Sequence, residues 1–115
     1  MEKDKKVVAV VGSRGIAKCA ALTARLAELA PDQVVSGGLD GLAAAWARAN
    51  GVPLLELRPD YATHGPTAAT HVRNAEIVRR ATLVLVVWDG KSKGTLSTLK
   101  AARRLGRRCE LLPLD

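Results

Sequence analysis

Short apolar runs alternate along the chain with stretches whose apolar positions recur every three or four residues. Val7–Val11, Gln33–Ser36, Pro53–Leu57, Leu83–Trp88 and Arg108–Leu112 read as strands, each bounded by turn residues. The first and fourth are almost wholly apolar, as expected of strands buried on both faces of a sheet. Cys19, Leu22, Leu26 and Leu29 share one face of a predicted helix that Pro31-Asp32 closes. A second helix is predicted from about Gly41 to Asn50, with Leu42, Ala45, Trp46 and Ala49 inward. Asn50-Gly51 ends it, because both residues tolerate a left-handed conformation.

From Arg58 to Thr70 the period dissolves at Pro59, Gly65 and Pro66, which predicts a loop. Loops longer than about a dozen residues in a compact domain are usually functional or mobile. His71–Ala81 follows as a helix with Thr70 as its N-cap, and Thr95–Leu105 as another with Leu96, Leu99 and Ala102 inward. The order β-α-β-α-β-α-β-α-β in one 115-residue domain implies an α/β fold: a five-stranded parallel sheet with helices on both faces.

Three of these strands run directly into glycine turns: Gly12-Ser13-Arg14-Gly15, Ser36-Gly37-Gly38-Leu39-Asp40-Gly41 and Asp89-Gly90-Lys91-Ser92-Lys93-Gly94-Thr95. In parallel sheets ligands bind beyond the C-terminal strand ends, where the strand order reverses. Open backbone N–H groups beside a helix N-terminus suit an anion there. The turns match neither of two common phosphate motifs. A P-loop needs glycine five residues before its Gly-Lys pair, and that position is Leu85; the first turn is not Gly-x-Gly-x-x-Gly. The second strand also ends in Ser36-Gly37-Gly38 where a ribose-binding acid would stand, so NAD and FAD are not expected.

Composition narrows the picture further. Hydrophobic residues make up 48% and charged residues 25%, the balance of a soluble globular domain. No apolar run approaches the roughly 18 residues of a membrane span. Met1–Lys6 leads into no signal-peptide pattern, so a cytoplasmic protein is expected. Cys19 and Cys109, in a predicted helix and strand without ligand spacing, read as buried reduced thiols. His64 and His71 also lack metal-ligand spacing, so no metal and no cofactor is assigned.

Eighteen basic against eleven acidic residues give a net charge of +7, compatible with nucleic acid or with phosphorylated small molecules. Only Trp46, Tyr61 and Trp88 are aromatic, few for stacking single-stranded bases. Lys100, Arg103, Arg104, Arg107 and Arg108 cluster at a predicted helix C-terminus, where the dipole favours cations. Arg73-Asn74 opens a helix after the long loop, placing an arginine that can reach a phosphate beside an asparagine suited to a base edge or to pinning a loop.

Taken together, Val11-Gly12-Ser13-Arg14, Ser36-Gly37-Gly38-x-x-Gly41, Pro59-Asp60-Tyr61, Gly65, Arg73-Asn74 and Trp88–Thr95 resemble the YspA-like branch of the SLOG superfamily. That superfamily also holds the LOG phosphoribohydrolases and the DNA-processing protein DprA. The resemblance runs from about Val7 to Arg108 and implies a Rossmann-like three-layer α/β/α fold with a pocket for a nucleotide or nucleotide-derived ligand. Gly12, Ser13, Arg14, Ser36, Gly37, Gly38, Gly41, Arg73, Asn74, Asp89, Gly90, Lys91, Ser92, Gly94 and Thr95 are its candidate ligand contacts.

Two departures bear on chemistry. The family's usual Asp after the second turn falls on Ala43, and the LOG catalytic Glu falls on Thr98, with Ser97 beside it. N-glycosidic cleavage needs a carboxylate to stabilise its oxocarbenium-like transition state. Asp89 and Glu76 are the nearest substitutes. Ligand binding or sensing without catalysis is therefore the expected function. A nucleoside-monophosphate phosphoribohydrolase and DprA-like single-strand binding are the alternatives, and the Ala-rich helix faces leave room for a homodimer.

Overall fold

A computed structural model describes residues 5–12, 19–37, 41–88, 90 and 93–113. Strands and helices alternate in chain order. They are β1 (Val7–Gly12), α1 (Ala20–Leu29), β2 (Gln33–Ser36), α2 (Gly41–Ala49) and β3 (Leu54–Glu56). Then come α3 (Tyr61–Arg80), β4 (Leu83–Val87), α4 (Lys93–Arg104) and β5 (Arg108–Leu112).

The strands form one sheet in the order β3-β2-β1-β4-β5, and every pairing is parallel. The chain winds outward from β1 to β3, crosses back, and continues through β4 to β5. The order thus reverses between β1 and β4. Side chains alternate across each strand and sort the core into two layers. Val8, Val10, Leu83, Leu85 and Val87 meet Leu22 and Leu26 of α1 and Ala43 and Ala47 of α2. Ala9, Val11, Val84 and Val86 meet Ile77 and Val78 of α3 and Ala101 and Ala102 of α4. β1 and β4 are covered on both faces, hence their unbroken apolar runs.

The helix ends follow local rules. Ala30 takes a left-handed conformation (φ 45°) and donates its N–H to the Leu26 carbonyl, closing α1 before Pro31-Asp32. Gly51, at φ 65°, follows α2 as the Asn50-Gly51 signal predicts.

Four expectations need correction. The loop expected over Arg58–Thr70 is mostly helix, and Thr70 lies inside α3 rather than capping it. Asp60 is the cap: its carboxylate accepts from the Thr63 N–H at 3.1 Å and the Thr63 hydroxyl at 2.7 Å. The irregularity is confined to Gly65 (φ 83°, ψ 174°), which kinks α3, and Pro66 restarts it at the one position where a missing N–H does no harm.

The buried stripe of α2 is Ala43, Ala44 and Ala47; Ala45 and Ala49 face outward, and Leu42 and Trp46 pack on the flank. α4 begins at Lys93 and buries Thr95, Thr98, Ala101 and Ala102, leaving Leu96 exposed and Leu99 half-buried. In both helices small residues face the sheet, which lets the backbone lie close to it. Finally, Cys19 is buried but precedes α1, and Cys109 is exposed because β5 is an edge strand with little cover.

Arg25 of α1 grips Glu110 of β5 with two parallel hydrogen bonds, Nε to Oε1 at 2.7 Å and Nη2 to Oε2 at 2.8 Å. That bond lowers the Glu110 carboxyl below its ordinary range. Burial acts to raise Glu76, but hydrogen bonds from Arg80 and Arg79 outweigh it and hold that carboxyl low as well. Carboxyls that bind protons less readily folded than unfolded stabilise fully above the unfolded pKa, about 4.3 for Glu, and lose that stability as pH falls through the folded value. We expect a melting temperature level from neutrality to about pH 5.5 and falling below about pH 4.5. Glu110→Gln should lower the neutral-pH value and flatten the acid limb; wild type and variant falling in parallel would contradict this role for the pair.

Candidate functional site

β2, β1 and β4 are consecutive neighbours in the sheet. At about 4.8 Å between strands, their C-terminal ends lie within about 10 Å of one another. Gly12, the last residue of β1, is in register with Val87, the last of β4. The two strands therefore end level, at the point where the strand order reverses.

The end of β2 is held at Gly37. Arg73 Nη1 donates to the Gly37 carbonyl at 2.9 Å and the Leu57 carbonyl at 3.3 Å, joining the segments that leave β2 and β3. A Cβ on Gly37 would stand 2.8 Å from that nitrogen, so any larger residue would displace the guanidinium from its present position. Arg73 Nε donates to Asn74 Oδ1 at 2.9 Å, fixing the asparagine amide. Asn74, 4% exposed, then points Nδ2 at the Gly94 carbonyl (3.4 Å) and Ser97 Oγ (3.5 Å) of α4. Ser97 Oγ lies 2.8 Å from His71 Nδ1. A continuous polar chain, His71–Ser97–Asn74–Arg73–Gly37, thus links α4 through α3 to the ends of β2 and β3.

Each described candidate contact lies at this edge. Gly12 and Ser36 end β1 and β2, Gly41 starts α2, Gly90 follows β4 at φ 84°, and Gly94 and Thr95 sit in the first turn of α4. Ser36 and Thr95 are buried below the rim, while Gly41, Gly90 and Gly94 are exposed. Ser13, Arg14, Gly38, Asp89, Lys91 and Ser92 lie outside the described residues. Asn74 pins the start of α4. Arg73 has a structural task that its sequence position alone does not disclose. His71, Ser97 and the Leu57 carbonyl were not among the sequence candidates. The available signal was spacing: His71 and Asn74 are three apart on α3, and Gly94 and Ser97 three apart on α4.

The two positions where a SLOG-like pattern would carry carboxylates, Ala43 and Thr98, are both buried. Ala43 has no exposed surface and packs in the core beneath α2, where an ionised carboxylate would be costly. Thr98 is buried, and its hydroxyl donates to the Gly94 carbonyl at 3.2 Å inside α4. Glu76, considered as a substitute carboxylate, is paired with Arg79 at 2.7 Å and Arg80 at 2.8 Å. It also lies one turn farther along α3 than Arg73, away from the glycine edge. The basic cluster Lys100–Arg108 is at the opposite edge, since α4 runs back across the sheet from its start beside β4 to the beginning of β5. Among the described residues, no three His, Cys, Asp or Glu side chains group as metal ligands, and no helix is long and apolar enough to cross a membrane.

Fold and edge together define a Rossmann-like α/β protein. No family model matches the chain, and no curated protein matches it. Among solved structures it is similar to the C-terminal domain of a hydrogenase from Pyrococcus furiosus. That match has a TM-score of 0.54 and 16% identity, covering 98% of this chain and 95% of that one. The likeness is one of fold.

Proposed function

We propose that the C-terminal edge of the sheet binds a nucleotide or nucleotide-derived ligand through its phosphate, as a SLOG-type binding or sensing domain. The observation that carries this reading is the adjacency of β2, β1 and β4, which sets three glycine-bearing strand ends side by side at the reversal of strand order. The Arg73–Asn74 chain supports it by tying Gly37 to the start of α4. Such preorganisation lowers the cost of ordering a site when ligand binds. Binding without turnover is favoured because the positions of the related carboxylates, Ala43 and Thr98, are both buried.

The test is a thermal-shift series with AMP, ADP, a nucleotide sugar and a cyclic nucleotide, with inorganic phosphate as reference. At least one nucleotide should raise the melting temperature, since saturation to 100 times Kd is worth about 2.7 kcal/mol. Gly37→Ala should keep the fold, because only the far end of the Arg73 side chain must move, yet lose most of the response. No shift by any member at millimolar concentration would overturn the proposal. Release of ribose 5-phosphate from AMP would replace it with the enzymatic alternative.

A further inference from the structure

A trough of about 450 Å³ runs between α4 and the edge strand β5, from Trp88 and Leu96 beside the glycine edge toward the far end of α4. That volume is within the 300–1,000 Å³ usual for small-ligand sites. Its lining is polarised. Trp88, Leu96 and Leu99 form one end with Cys109 on the floor, and Lys100, Arg103 and Arg107 form the other. Leu96, Lys100, Arg103 and Arg107 follow one another at helical spacing and just beyond it, so the change from apolar to cationic runs along the axis of α4. From Leu96 to Arg103 this covers ~10 Å at 1.5 Å per residue.

The trough exists because β5 is the sheet edge and its α4-facing residues are incompletely covered; Leu111 is 63% exposed. Among the described residues, its cations have no acidic partner. Ion pairs among the described residues engage Arg25, Arg79 and Arg80, none reaches Lys100 or Arg103, and α4 contains no acidic residue. Among the described residues, Arg107 donates to the Arg79 carbonyl and meets no carboxylate. The helix dipole explains cations at the end of α4 but not the apolar trough that leads to them. A second copy docked trough to trough would set like charges against one another, so charge complementarity favours an acidic occupant.

We propose that the trough is a second binding site, for an amphipathic organic anion. Its apolar body lies on Trp88, Leu96 and Leu99, and its carboxylate or other acidic head meets Lys100, Arg103 and Arg107. Its cationic end lies at the opposite end of α4 from the glycine turns.

The test uses decanoate, 1-decanol and decyltrimethylammonium below their aggregation limits. The chain has two tryptophans, so Trp46→Phe makes Trp88 the sole reporter; calorimetry on the unsubstituted protein gives the same constants should that variant fail to fold. Decanoate should bind saturably at one site, at least tenfold more tightly than the cationic probe. Lys100→Gln with Arg103→Gln should weaken decanoate at least tenfold and leave decanol unchanged, while Gly37→Ala should leave decanoate unchanged. Equal binding of the three probes, insensitivity to the paired substitution, or no saturable binding would each overturn the proposal.

Discussion

Leu85→Ala is expected to destabilise the protein by about 3–4 kcal/mol, within the range for truncating a leucine in a core that cannot collapse around the cavity. Leu85 has no exposed surface and lies mid-strand in β4, in register with Val10 of β1 and Glu110 of β5. Its side chain belongs to the cluster formed by Leu22, Leu26 and the flanking valines. Strands on both sides restrain β4, so the cavity is held open. For a domain of this size the loss corresponds to a melting temperature lower by roughly 10–20 °C. In urea the midpoint should fall with an unchanged m-value. A loss under about 1 kcal/mol would mean that α1 and the sheet are less tightly packed than described.

Arg73→Leu has the second largest expected effect, and it combines stability with function. The guanidinium makes charge-assisted bonds to the Gly37 and Leu57 carbonyls and to Asn74. Losing hydrogen bonds from a charged donor while leaving their acceptors in place costs about 1.5–3 kcal/mol. Arg73→Lys should recover only part of this, since an ammonium cannot reproduce a planar fork aimed at two carbonyls and an amide. In both variants Gly37 and Leu57 lose that link, so the nucleotide-induced thermal shift should fall more than the basal stability does. A Leu variant that responds to nucleotide as the wild type does would show that the clamp is irrelevant to the site.

Much of the architecture was legible because the physics is local. Apolar runs at Val7–Val11 and Leu83–Val87 could only be strands covered on both faces, and the alternation with helices dictated a parallel sheet. What escaped was set by tertiary context. Gly65 and Pro66 break periodicity and so read as loop, yet here they mark a kink and a helix restart inside α3. Leu42 and Leu96 read as inward because they are large and apolar. Close packing on the sheet instead selects Ala43, Ala47, Thr95 and Thr98 for the inner face. At the site, the glycine turns were legible as a set. The polar chain beneath them was not, because the Arg73–Gly37 and Asn74–Gly94 contacts join residues 36 and 20 positions apart.

The glycine edge and the basic end of α4 lie at opposite ends of the strands, which makes the location of binding decisive. The most direct measurement is a titration of isotope-labelled protein with AMP, followed by amide chemical shifts. Binding at the glycine turns predicts saturable shifts at Gly12, Gly37, Gly90 and Gly94, with Gly106 and Arg108 unmoved. Shifts confined to Lys100–Arg108, or none at millimolar AMP, would contradict it.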